Sequence, residues 1–136
     1  FGNGVVRAVG SVTGIKLPSG LVMRYEDLKG AQGEKGVEYT YQTRKGRTRL
    51  YGGKVIENVC QAVARCIIGE QMLLIAKKYP PVLTVHDSIV ACVPEKEVKE
   101  AQTYIEGCMR YVPTWAEGLP LDCESGVAKS YGDCEA

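Results

Sequence analysis

The trio His86-Asp87-Ser88 sets a carboxylate between two short apolar runs. Val82, Leu83 and Val85 precede it, and Ile89, Val90, Ala91, Cys92 and Val93 follow. Runs of this kind read as buried strands, so the trio reads as a tight hairpin turn that projects into solvent or into a site. A carboxylate on such a turn is rigidly held and faces outward. That suits Mg2+, a hard cation that takes oxygen ligands and is often shared between one or two carboxylates and substrate phosphates. Aspartate is also a favoured turn residue, because its side chain bonds nearby backbone amides, so turn-former and cation ligand stand side by side as readings of Asp87. His86, the only histidine, reads as a packed or turn residue as readily as a base. One aspartate does not organise a two-metal site, whose carboxylates bridge ions about 4 Å apart. A second carboxylate has to come from elsewhere in this chain or from another.

A second group of polar residues falls beside the apolar positions of a helical pattern. Gln61 could donate to adenine N3 and thymine O2, minor-groove acceptors that sense pairing without reading sequence. Lys54 and Asn58, one to two turns earlier, could reach a phosphate or a sugar. A plain exposed helix surface is the alternative for each. Arg44, Lys45, Arg47 and Arg49 crowd into six residues, either as a solvated hairpin tip or as phosphate contacts. There is no Walker-type glycine loop and no G-x-S-x-G elbow.

The elements that carry these residues follow from pattern. Residues 1–13 are glycine-rich and read as a flexible N-terminal segment. Pro18-Ser19-Gly20 is a turn signal between the strand-like runs Ile15–Leu17 and Leu21–Tyr25. Lys29 to Gly36 reads as a connection. Val37–Thr43 alternates and is rich in β-branched and aromatic residues, which predicts a strand, with Lys45-Gly46 as a turn and Thr48–Tyr51 as its partner. From Gly53 to about Lys78 the period changes. Ile56, Val59, Cys60, Val63, Ile67 and Leu74 fall on one helical face, and Pro80-Pro81 ends the helix. Glu95–Val112 predicts a second helix, and Leu119–Tyr131 a returning edge strand. Together these predict an α+β fold, an antiparallel sheet with two main helices packed on one face.

Composition sets the outer limits. A length of 136 residues is that of about one domain, and a net charge of +1 is less basic than that of a freestanding nucleic-acid binder. The six cysteines form no C-x-x-C pair, so a zinc site has little support. Cys60, Cys66 and Cys108 sit in apolar helical patterns and read as buried reduced thiols, the cytoplasmic pattern, with a disulfide framework as the alternative. No apolar run approaches the ~20 residues of a membrane span. The chain opens at Phe1 without methionine, from which a processed chain or a piece of something larger is expected.

Three stretches in order carry a resemblance. Tyr51-Gly52-Gly53-Lys54-Val55-Ile56-Glu57-Asn58-Val59-Cys60-Gln61-Ala62-Val63-Ala64-Arg65, then Val85-His86-Asp87-Ser88-Ile89-Val90, then Trp115-Ala116-Glu117-Gly118-Leu119-Pro120-Leu121 resemble the C-terminal part of phage-type family A DNA polymerases. Ile15-Lys16-Leu17-Pro18-Ser19-Gly20 is similar to the segment before that helix. The resemblance runs from about Gly14 to Gly132 and implies a partial palm domain over 14–136. It implies that Asp87 is the aspartate of the third polymerase motif, binding the two catalytic Mg2+ ions. It also implies that His86 lies beside the primer terminus and that Gln61 contacts the minor groove. The reaction implied is attack of a primer 3′-hydroxyl on the α-phosphate of a dNTP.

Two departures stand out. The family often has glutamate after the aspartate. Here the residue is Ser88, which lacks that charge and either holds a water or closes the turn. The first motif with the other metal-binding aspartate, the fingers helix, the thumb and an exonuclease domain find no match. The expectation is therefore part of a polymerase, inactive alone. Its partners would be primer–template DNA, dNTP and the polypeptide that supplies the missing motif, fingers and thumb, in a bacterial or phage-infected cytoplasm with no membrane. A non-catalytic palm-like DNA-binding or assembly module is the competing expectation. An exposed apolar patch where absent neighbours pack is expected with either.

Overall fold

The computed structural model of the chain describes residues 8–9, 12–34 and 36–134. Its elements are β1 (Ala8–Val9), β2 (Val12–Lys16), β3 (Val22–Tyr25), β4 (Lys29–Gly33), β5 (Gly36–Thr43), β6 (Gly46–Leu50), α1 (Gly52–Ile75), β7 (Pro81–Val85), β8 (Ser88–Ala91) and α2 (Val98–Met109). Residues 1–63 and 64–136 form two compact units, and α1 contributes to both.

The first unit holds two three-stranded antiparallel sheets, β1-β2-β3 and β4-β5-β6. The Pro18-Ser19-Gly20 turn joins β2 to β3 as its chemistry predicts. Gly14 is required there, because a Cβ at that position would lie 2.6 Å from the Met23 carbonyl oxygen. Lys29–Gly33, expected as a connection, is instead a strand. It pairs with β5 from Lys29↔Thr40 to Gly33↔Gly36. Two glycines and no β-branched residue gave it no strand signal of its own, and the ladder to β5 supplies the order. β5 alternates as predicted. Tyr41 turns inward and meets buried Tyr25 edge to face at 5.1 Å, a geometry that aromatic quadrupoles favour. The Gln42 amide donates to the Glu26 carbonyl at 2.8 Å. The expected flexible segment 1–13 falls largely outside the described residues; of these, Ala8–Val9 pair with Val12 and Thr13.

The second unit packs α2 and the β7-β8 hairpin around the C-terminal end of α1. Its core is Ile75, Tyr79, Ala101 and Cys108, with Leu74, Ile89, Ala91, Val93, Tyr104, Ile105 and Met109 against it. Ile89, Ala91 and Val93 alternate, so one side of that chain faces α2. The Tyr104 hydroxyl donates to the Leu74 carbonyl at 2.8 Å.

Several expectations are corrected. Hydrogen bonding divides the strands into three separate antiparallel sheets where one sheet was expected. Helix α1 buries Ile67, Ile68, Gln71 and Ile75, while Ile56 and Cys60 of the expected stripe are exposed. Buried Gln71 donates from Nε2 to the carbonyls of Met109 at 2.5 Å and Tyr111 at 3.3 Å. It thereby satisfies acceptors at the C-terminal end of α2 that the helix leaves open. Strands β7 and β8 are not buried on both faces, as Val82, Leu83 and Val85 are exposed. The tail from Leu119 forms no strand among the described residues. Side chains of α2 hold it instead. Arg110 donates to Asp122 at 2.7 Å and to the Cys123 carbonyl at 3.2 Å, and Gln102 reaches Ser125 at 2.8 Å. Of the three cysteines expected as buried thiols, only Cys108 is buried; Cys66 is half-buried and Cys60 is exposed.

Candidate functional site

The hairpin that carries Asp87 is built by pairing alone. Val85↔Ser88, Thr84↔Ile89 and Leu83↔Val90 are direct partners, which leaves His86 and Asp87 as a two-residue loop. His86 sits at φ 52°, in the left-handed region that His tolerates better than most residues. Such a first position matches the twist of the flanking strands and makes the tight loop possible. At the other end of β7, Pro81 pairs with Ala91, and the register shifts before Leu83, a bulge at Val82. Bulges bend and twist a strand locally, and proline suits the first residue because it cannot donate to the ladder.

His86, Asp87 and Ser88 are all exposed. Among the described residues no side chain or amide is paired with the Asp87 carboxylate. The turn therefore does not use the aspartate side chain as a backbone-bonding device, the alternative that its residue type left open. Among the described residues no three His, Cys, Asp or Glu side chains stand together as a metal cluster, so this hairpin brings one carboxylate.

The other polar group lies on the N-terminal half of α1. Lys54 Nζ donates to both Glu57 carboxylate oxygens at 2.9 Å, and Gln61 Nε2 reaches Glu57 Oε1 at 3.3 Å. Asn58 Nδ2 donates to the Tyr25 hydroxyl at 3.3 Å. Positions 54, 57, 58 and 61 follow the three-and-four spacing of one helical face. The structure thus brings Lys54, Asn58 and Gln61 into one strip, and His86, Asp87 and Ser88 into one turn. The strip belongs to the first unit and the turn to the second. The pairing with Glu57 holds the Lys54 ammonium above the usual lysine range.

Two residues that hold the strip, Glu57 on α1 and Tyr25 on β3, are not among the sequence-predicted candidates. Glu57 joins Lys54 to Gln61, and its position three after one and four before the other was the available signal. Tyr25, which fixes Asn58, is 33 positions away and gave no local signal.

No protein-family model and no solved structure matches the chain. Its sequence is 34% identical over 125 residues to a DNA polymerase of Bacillus phage SP02, an alignment that covers 86% of this chain. The chain is similar to a phage DNA polymerase. It spans 19% of that polymerase's length. No helix of the described residues is long and apolar enough to cross a membrane.

Proposed function

We propose that this chain is the C-terminal part of the palm of a family A DNA polymerase, contributing one metal-binding aspartate to template-directed transfer of dNMP to a primer 3′-hydroxyl. The observation that carries the reading is Asp87, an exposed carboxylate at a two-residue turn, unpaired among the described residues, in a chain similar to a phage polymerase.

The donor chemistry fits Mg2+. Anionic oxygen is its preferred ligand, and one or two carboxylates plus substrate phosphates make up a common coordination set. In this chain Asp87 is the residue that would hold it. When bound, the metal supplies activation of the attacking 3′-oxygen and stabilisation of the leaving pyrophosphate. The chain's own residues do the rest. The paired strands on both sides of the loop fix the backbone at Asp87, so less ordering remains when its carboxylate binds. His86 stands next to it on the primer side. Ser88, uncharged and first in β8, closes the turn and adds no anionic ligand. On α1, Gln61 presents an amide to minor-groove acceptors shared by correct base pairs, and Lys54 and Asn58 track the backbone. The second carboxylate, the dNTP-binding fingers and the thumb come from polypeptide outside these residues, so the chain alone does not extend a primer.

The test is primer extension by the SP02 polymerase with its matched stretch replaced by this chain, beside the same chimera carrying Asp87→Asn. Extension is expected in the first. In the second it drops by about 10²-fold or more, since a metal's stabilisation of developing charge is worth several kcal/mol. Equal extension by the two chimeras sinks the assignment of Asp87. Asp87-dependent extension by the isolated chain refutes its dependence on other polypeptide.

A further inference from the structure

Charge in this chain is divided by unit. Residues 1–63 hold ten Lys and Arg against five Asp and Glu, and residues 64–136 hold seven against eleven, so a near-neutral total hides a basic first half and an acidic second half. The excess concentrates on the sheet β4-β5-β6. Cross-strand register puts Lys29, Thr40 and Arg49 in one row, with Gln42 and Arg47 in the next row on the same face. Arg47 and Arg49 alternate along β6 and so stand about 7 Å apart. Beyond them Thr43↔Gly46 closes a two-residue loop made of Arg44 and Lys45.

The cations differ in what they already do. Lys29 and Arg47 share Asp27, at 3.0 and 2.7 Å, and Arg49 donates to Glu38 at 2.6 Å. Arg44 and Lys45 are exposed and have no acidic partner among the described residues. Their loop is nonetheless rigid. Gly46 takes φ 117°, the Thr43 hydroxyl donates to the Gly46 carbonyl at 2.7 Å, and the same hydroxyl accepts from the Lys45 amide at 3.2 Å.

We propose that the β5–β6 loop, with Arg44 and Lys45 as its uncommitted charges and Arg49 behind them, is a contact surface for the sugar–phosphate backbone of a nucleic-acid duplex. The proposal rests on the polymerase reading for the identity of the polyanion. Its physical content is local: two cations on a fixed loop, unpaired among the described residues, displace the cations condensed on a duplex when they meet its phosphates. Such contacts position a duplex and carry no sequence preference.

The experiment is anisotropy titration of a fluorescein-labelled primer–template duplex with the 136-residue chain, repeated across KCl concentrations from about 50 to 200 mM. The variants are Arg44→Ala/Lys45→Ala and, in the opposite sense, Arg44→Glu/Lys45→Glu. Each lost phosphate contact lowers the slope of log K against log salt by about 0.9. The alanine pair should therefore flatten the slope by about 2, weaken binding to unrelated duplexes alike, and leave the circular dichroism unchanged. The glutamate pair should weaken binding further. A slope that superimposes on the wild type overturns the proposal, as does an absence of salt-dependent duplex binding by the wild type. Equal loss of binding to phosphatidylserine vesicles, with duplex binding kept, assigns the loop to a lipid surface and also overturns it. None of these outcomes touches the Asp87 extension assay, so the loop can fail while the polymerase reading stands.

Discussion

Arg47 donates from Nη1 to Asp27 Oδ2 at 2.7 Å and from Nη2 to the Asp27 carbonyl oxygen at 2.8 Å. One guanidinium thus holds both the side chain and the backbone of a residue whose φ is 47°. The same fork reaches Thr40 on the neighbouring strand, through Nε to Oγ1 and Nη2 to the carbonyl oxygen. Only a planar, multi-donor group makes these bonds together, so a lysine does not substitute for it. Arg47→Lys is expected to lower the urea midpoint nearly as much as Arg47→Ala, although charge is retained. A lysine variant with the wild-type midpoint would show that Asp27 holds its turn unaided.

Acid should loosen the fold through three carboxylates. Asp27, beside Lys29 and Arg47, has its pKa held below the usual range. Glu106, bonded to Ser125 and Arg110, and Asp122, bonded to Arg110 and the Cys123 amide, are shifted the same way. Each therefore binds a proton more readily unfolded than folded. Their stabilisation is complete above about pH 5 and fades as pH falls through the folded values. Urea midpoints should fall on acidification below the ordinary carboxylate range of about 4. Asp27→Asn should flatten that fall, and an unchanged profile in the variant would remove Asp27 from the account.

Gln71 is buried and serves the carbonyls of Met109 and Tyr111. Gln71→Leu keeps most of the volume and removes both bonds. The stranded acceptors should cost about 1–3 kcal/mol, read from urea unfolding. Ile75→Ala, at a fully buried position, should cost about 2–5 kcal/mol through the cavity it leaves. If Gln71→Leu were neutral, water would be satisfying those carbonyls in its place.

Asp87→Asn should leave the urea midpoint where it is, because the carboxylate is exposed and unpaired among the described residues. In the chain alone, amide signals of residues 86–89 should broaden on addition of Mn2+ and sharpen again in the variant. Broadening that persists in Asp87→Asn would place the cation elsewhere.

Val82, Leu83 and Val85 are 60%, 44% and 38% exposed on one hairpin, an apolar surface of the sort that drives association. Sedimentation of the chain should depend on dilution. Val82→Thr with Val85→Thr, which keeps β-branching, should reduce that dependence. A clean monomer at high concentration would count against it.

How much was legible can be judged element by element. The hairpin at Pro18-Ser19-Gly20, the strand over 37–43 and the loop at His86-Asp87 announced themselves because turn residues and two-residue alternation act within a few positions. The long helix was legible in length and only in part in face: Ile67 and Leu74 of the expected stripe are covered, while Ile56 and Cys60 are exposed and Gln71 is buried. Strand β4 carries two glycines and gains its order only from the ladder to β5.

By itself the sequence determined which segments bend, which coil and at which turn one carboxylate would be displayed, since these depend on steric and hydrogen-bonding preferences of neighbouring residues. The tertiary structure alone decided which cations are spent on ion pairs and which stay free, which helix face is covered, and that the tail is tethered by Arg110 and Gln102 instead of joining a sheet. Those outcomes depend on groups brought together from distant positions, and no local pattern encodes their meeting.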